Sequence, residues 1–189
     1  DRVKAVVVHI DSPGGTTVGS EAIYEKIRAI AARKPVASVM DSVAASGGYI
    51  TAITTDHIVA RSNTVTGSIG VIFSFPEFSE LLGKLGIRME EIKSAELKAE
   101  PTPYKPMSER VRQVTNEMVQ ESFQWFVGLV AERRKLSMEQ VRGLADGSAG
   151  VASERKRRFE GRNRRRRTAT RTTRNARRVP RVQRRAKGR

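Results

Sequence analysis

The chain has 189 residues, no cysteine, two histidines (His9 and His57) and a formal net charge of +16. This length sets one domain, or one domain with a tail, and the composition excludes disulfides, thiolate chemistry and a multi-histidine metal cluster, so no metal or cofactor is expected. Residues 154–189 carry 18 Lys and Arg against two Glu, which leaves residues 1–153 balanced at 18 of each sign; the body itself calls for no anionic partner.

Val3–Ile10 (VKAVVVHI) is a β-branched apolar run that reads as a buried parallel strand, with His9 a core residue within it. Ser12-Pro13-Gly14-Gly15 breaks it as a turn. Ala22, Ile23, Ile27 and Ile30 form one stripe and predict a helix from about Thr17 to Arg33, ended by Pro35. Val36–Met40 is a second strand, and the small residues of Ala44–Thr54 predict the start of a tightly packed helix. His57–Ala60 and Gly70–Phe73 read as strands, Glu77–Leu85 as a helix and Arg88–Ile92 as extended chain. From Ser108 to Leu136 runs the longest helical pattern. Its stripe of Val111, Val114, Met118, Ser122, Trp125, Phe126 and Leu129 marks core or subunit interface. Ser137-x-x-Gln140 is a capping box for a short helix ending near Asp146-Gly147. Strands alternating with helices imply a βαβ architecture with a largely parallel sheet.

After Gly147 the pattern is lost. Residues 155–189 are rich in Arg with few apolar side chains, too few to offset the entropy of ordering, so disorder is expected. The expected division is a core over 1–147 and a basic tail over 148–189. No apolar run reaches the roughly 18–20 residues of a membrane span. The chain begins directly before a strand with no secretory signal, and reads as a piece of something longer.

Two glycine-rich turns carry the chemistry. Asp11-Ser12-Pro13-Gly14-Gly15 follows a strand, and consecutive glycines let backbone N–H groups approach a ligand as an oxyanion hole requires; as a bland alternative it is only a strand-to-helix turn. Ala44-Ala45-Ser46-Gly47-Gly48-Tyr49 places a serine among small residues at a helix start, with the Gly47 N–H behind it, in the manner of a nucleophile elbow; alternatively Ser46 is one of several small packing residues. Both turns lie at carboxyl ends of predicted parallel strands, where open α/β sheets place their sites. A nucleophilic serine needs a base. His57 falls in the following strand and His9 in the first. A lysine serves when desolvation favours its neutral form. Lys84, Lys93, Lys98 and Lys105 are the downstream candidates, and composition does not choose among them.

At these residues the sequence resembles the signal peptide peptidase A family, in its short single-domain form, within the Clp-protease/crotonase superfamily. The resemblance covers about Val3 to Gly147 and rests on DSPGG (11–15), MDSVAASGGYI (40–50), TGSIGVI (66–72), LLGKLGI (81–87) and IKSAELKAEPTPYKPMS (92–108). It implies repeated ββα units with a largely parallel sheet and flanking helices. It implies Ser46 as nucleophile, Lys98 as general base, Ser68 as the serine that contacts the lysine amine, and Gly14, Gly15 and Gly47 as oxyanion donors. Ala95 departs from the family's preferred glycine and bears on loop flexibility. The implied reaction is acyl transfer on cleaved signal peptides and other short apolar peptides in extended form. The implied setting is a homo-oligomeric ring at a bacterial or archaeal plasma membrane, with serine and lysine drawn from adjacent subunits in short members. The membrane anchor and first strands of the family are absent before Val3, and the family's apolar Thr-Gly-Arg-Gln-like continuation is absent after Gly147.

The basic tail reads as the product of a reading-frame shift, or else as an arm that binds nucleic acid or anionic lipid non-specifically. An acyl-CoA hydratase or isomerase on the same superfold, and an inactive or non-catalytic fragment, are the competing readings of the core.

Overall fold

The structure, a computed structural model, describes residues 2–158. In chain order the elements are β1 (Val6–Ser12), α1 (Thr17–Ala31), β2 (Val36–Ala45), α2 (Gly47–Ile53), β3 (His57–Ala60), β4 (Val65–Gly67), α3 (Ser79–Lys84), α4 (Glu109–Arg134), α5 (Met138–Arg142) and β5 (Ala149–Val151). Residues 152–158 close the described chain as a further helical stretch.

β2 is the strand around which the sheet forms. On one side it pairs in parallel with β1, from Val6↔Val36 to Ile10↔Met40. There β2 inserts Asp41, Ser42 and Val43 against Asp11 alone before pairing resumes at Ser12↔Ala44. The Asp11 carboxylate accepts the Val43 N–H at 3.0 Å and so satisfies an amide the irregularity displaces. The other side of β2 is shared: β3 runs beside Ala37–Met40 and β4 beside Val43–Ala45, both parallel. β5 adds antiparallel to β4. The sheet is thus largely parallel.

Two expectations, those for Gly70–Phe73 and His9, are corrected by this topology. Gly70–Phe73 is not a strand; the β4 ladder ends at Ala45↔Gly67 because β2 itself turns into a helix at Ser46, leaving nothing to pair with. Arg88–Ile92 likewise has no sheet partner. His9 is not a core residue. β1 alternates, so Ile10 packs with Met40, Ala44 and Ala52 while Val7 and His9 face outward, His9 Nδ1 lying 3.8 Å from Asp41 Oδ2.

Local chemistry accounts for the helix ends. Thr16 accepts the Gly19 N–H at the start of α1, and Ser108 accepts the Val111 N–H at the start of α4. The Ser137–Gln140 capping box is formed reciprocally. α2 is buried except at Thr51, and Ile50 and Ile53 pack against Phe126, Val127 and Val130 of α4 and Leu144 beyond α5. Each such side chain contributes about 1.5–3 kcal/mol by leaving water. Only the carboxyl half of α4 enters this core; Val114 and Met118 are exposed. Residues 72–107 form an arm built on the short α3, with Ile72, Leu85 and Ile92 among its exposed apolar side chains.

The expected boundary at Gly147 falls inside the structure. Past it, β5 pairs with β4 and Arg155 is buried, its guanidinium under Gly67 and Gly150 and donating to the Ser148 carbonyl and hydroxyl. A count of apolar residues misses this, because the slot is made by two absent side chains and filled by a charged one. Residues 159–189, and with them most of the basic tail, its polyanion binding and its origin, lie outside the described residues. No helix among the described residues is long and apolar enough to cross a membrane.

Arg133 joins α4 to the end of α2, donating to the carbonyls of Ile53 at 2.9 Å, Thr55 at 3.2 Å and Thr54 at 3.4 Å. These are carbonyls the helix end leaves unsatisfied. Arg133→Met is expected to lower the unfolding free energy by about 1–3 kcal/mol. A urea denaturation midpoint equal to the parent's would contradict that role.

Candidate active site

Ser46 occupies the single residue between β2 and α2. Its N–H donates to the Gly67 carbonyl at 2.9 Å, which ties the turn to the end of β4. Its backbone sits at φ 51°, ψ −119°, and its side chain caps no helix N–H. L-residues avoid that combination, at a cost of roughly 1–3 kcal/mol, unless the surroundings impose it. Here the imposition is visible. The chain must pass from a ladder held by β1 and β4 into a buried helix within one residue.

The turn after β1 closes over this point. Ser12 Oγ accepts the Gly14 N–H at 3.3 Å and donates to the Gly14 carbonyl at 3.2 Å, a side chain fixing its own turn. Gly14 has φ 142°, and a methyl group built on it would lie 3.0 Å from Ser46 Cβ and 3.3 Å from Ser46 Oγ. A methyl on Gly47 would collide with Ser20 Oγ and come within 3.1 Å of the Gly15 nitrogen; one on Gly48 would reach 2.6 Å from the Ser12 carbonyl. The two turns therefore meet backbone to backbone. The Gly14 N–H is consumed by Ser12, whereas those of Gly15 and Gly47 have no acceptor among the described residues.

Gly15, Ser46 and Gly47 open on a cleft of about 150 Å³. Ile50, Val71, Ile72, Trp125 and Phe126 form its apolar wall, with Thr16, Thr17, Ser20 and Ser122 at its polar margins. This is roughly the volume that holds one benzene-sized apolar group.

Of the residues singled out by sequence, Gly14, Gly15, Ser46 and Gly47 come together. Ser68 stands beside them. The last β2–β4 rung is Ala45↔Gly67, so Ser46 and Ser68 each follow it by one residue, both at φ 51°. Ser68 is half-buried and donates its N–H to the Ser148 carbonyl at 2.8 Å. Lys98 is not brought to the cleft within this one chain. It is exposed on a turn of the arm spanning 94–99. Two of its rivals are engaged, since Lys93 and Lys105 both pair with Glu91 and Glu100. His57 lines a separate cavity bordered by Arg61, Arg133 and Arg155, not the Ser46 cleft. Ala95 does not lie at positive φ, so alanine is unstrained where glycine was expected. Sequence reasoning missed Ser12 and Ser20; for Ser12, a serine two residues before a glycine N–H is itself a turn signal.

Gly14→Ala is expected to cost about 1–3 kcal/mol through backbone strain and to suppress phosphonylation of Ser46 by a fluorophosphonate probe, in which the serine oxygen displaces fluoride from phosphorus. Gly15 has nothing within 4 Å of a built methyl, so Gly15→Ala should melt with the parent. Equal melting and equal labelling of all three proteins would show that the close approach is unimportant.

Comparison with known proteins agrees with this geometry. The sequence model of peptidase family S49 matches residues 28–156, past the point at Gly147 where the motif resemblance was expected to end. A putative protease of Methanocaldococcus jannaschii is 35% identical over 147 residues, 78% of this chain and 47% of that protein. Protease 4 of Haemophilus influenzae is 35% identical over 155 residues, 82% of this chain and 25% of that one. A putative signal peptide peptidase SppA of Enterococcus faecium is 38% identical over 146 residues, 77% and 42% of the two chains. The chain thus spans about half or less of the length of these relatives. Among solved structures, a ClpP1 variant from Listeria monocytogenes aligns with a TM-score of 0.53 at 16% identity, over 83% of this chain and 71% of that chain. The fold is accordingly Clp/crotonase-like, and by the match over 28–156 and the identity to its relatives the chain belongs to peptidase family S49.

Proposed function

We propose that this chain is the core of a serine endopeptidase in which Ser46 is acylated, with Lys98 of a neighbouring copy as its base. The observation that carries the reading is the Ser46 turn itself. A strained serine lies under a glycine turn, with the Gly15 and Gly47 N–H groups unengaged beside it. In the reaction, Ser46 Oγ attacks a peptide carbonyl and its proton passes to the neutral Lys98 amine. The Gly15 and Gly47 N–H groups stabilise the oxyanion, and Gly14 contributes closeness, since its own N–H is taken. Lys98 then protonates the departing amine, and water hydrolyses the acyl-enzyme with Lys98 again accepting a proton. Ser68, beside Ser46, is suited to receive and orient the amine.

Two features support a shared site. Lys98 stands in solvent in the single chain, so the desolvation a lysine base needs would come from docking against another copy. The arm that carries it exposes Ile72 (86%), Leu85 (63%) and other apolar side chains, more than an isolated surface ordinarily presents. A homo-oligomeric ring meets both needs. The apolar wall of the cleft suits an apolar side chain of a short extended peptide, and the name of the Enterococcus faecium relative points to cleaved signal peptides. Such substrates are released at a membrane surface, and the proposed activity is needed there.

Ser46→Ala and Lys98→Ala should each reduce hydrolysis of a fluorogenic apolar peptide on the order of 10⁴-fold or more. Mixing the two inactive variants should restore a measurable fraction of the activity, because mixed assemblies contain intact serine–lysine pairs. Full activity in Lys98→Ala would remove lysine from the mechanism. Two dead variants that stay dead when mixed would confine each site to one copy.

A further inference from the structure

The loop that carries Lys98 is held at its base by an alternating set of charges. Lys93 Nζ lies 2.9 Å from Glu91 and 2.8 Å from Glu100; Lys105 Nζ lies 2.6 Å from Glu100 and 3.8 Å from Glu91. The four residues come from both ends of the excursion, and residues 94–99 project between them. The Glu100 side chain is 6% exposed and that of Lys93 15%. Glu91 and Lys105 are 28% and 53% exposed, so the set lies at the surface with its inner pair covered, and what it supplies is a tie between the two ends of the loop. Hydrogen bonds donated by Lys105, then by Lys93, stabilise the Glu100 carboxylate and hold its pKa down at about 2. Glu100, then Glu91, hold Lys93 protonated above its ordinary range. Glu100 and Lys93 therefore stay charged across the neutral range. Beyond the network, the arm is pinned to α3 by the Phe78 N–H on the Pro103 carbonyl at 2.7 Å.

The loop has little else to fix it. Residues 94–99 are exposed throughout. The backbone bonds that order it are Lys98 N–H to the Ala95 carbonyl at 3.0 Å and Glu100 N–H to the Leu97 carbonyl at 3.2 Å. Lys98 itself makes no ion pair among the described residues, and neither does Glu96 within the loop. That matters chemically. A carboxylate paired with the base lysine would favour its protonated form and disable it, yet the carboxylates of Glu91 and Glu100 are already occupied.

We infer that Glu100, gripped by Lys93 and Lys105, is a positioning residue for Lys98: it closes the base of the 94–99 loop and so fixes the reach of the amine. The inference rests on the reading of Lys98 as the base, but the closure is a property of the loop alone. It acts through geometry, since a misplaced base loses rate while substrate still binds. It also acts through sequestration, since the two flanking lysines keep Glu100 from Lys98.

Hydrogen–deuterium exchange on the full chain tests the closure without reference to activity. In Glu100→Gln, the Lys98 and Glu100 amides should exchange about tenfold faster, with α2 and α4 unchanged. Unaltered exchange in the loop overturns the inference. Peptide hydrolysis then tests the role. Glu100→Gln should lower kcat about 10- to 100-fold with KM unchanged, and combining it with Lys93→Met should add little, as both break one contact. A parent-like kcat in Glu100→Gln beside a dead Lys98→Ala overturns positioning and leaves the base intact. An active Lys98→Ala instead removes the base reading, and the inferred role with it. Should Glu100→Gln fail to fold, Lys105→Met releases Glu100 from its exposed side, with the same two readouts and the same directions expected.

Discussion

The turn after β1 and the turn after β2 approach so closely that no side-chain carbon fits between them. A methyl on Gly14 would press on Ser46, one on Gly47 on Ser20 and the Gly15 nitrogen, and one on Gly48 on the Ser12 carbonyl. Glycine at these positions is required by the approach of one backbone to another. From that contact follow the strained angles of Ser46, the presence of two unengaged N–H groups beside its hydroxyl, and the depth at which α2 is buried. The bulge in β2 belongs to the same arrangement. By inserting three residues against Asp11, β2 regains register at Ser12↔Ala44 and brings both strands to an end at one level.

The contact is held from behind as well as from the front. Ser46 N–H on the Gly67 carbonyl ties the serine turn to β4, and β5 and Arg155 back β4 in turn. Arg133 anchors the far end of α2 to α4. A serine with unfavourable dihedrals persists only where its surroundings over-determine it. Here a strand ladder, a buried helix and a crossing turn do so from three directions.

Much of this was legible in the sequence wherever the determinant is local. The Pro13-Gly14-Gly15 turn, the Ser137 capping box and the serine at a strand-to-helix junction are written in neighbouring residues, and the structure contains each of them. What depends on partners was not legible. Gly70–Phe73 has a strand's composition, but whether it pairs is decided by where β2 stops. His9 lies in an apolar run, but its exposure follows from β1 having an uncovered face. Which of Gly14 and Gly15 keeps a free N–H depends on the Ser12 rotamer. Among the lysines of the arm, spacing alone does not distinguish one held between two carboxylates from one left unpaired. Arg155 sits in a stretch whose composition argues against order, yet it fills a slot that two glycines make.

Apart from Ile72, which forms part of the cleft wall, the arm consisting of residues 72–107 stands away from all of this. Its helix, α3, buries no residue and packs extensively against no other helix or strand, whereas the serine turn is built from residues 6–67 with α4 behind them. The molecule is thus modular: Ser46 and the two turns around it belong to the sheet, and residues 72–107, which include Lys98, are an appendage joined to it at two points. Changes of length or sequence in the appendage can accumulate without disturbing the serine turn. Divergence among relatives should therefore concentrate in the arm, where a new partner surface can evolve without rebuilding the sheet.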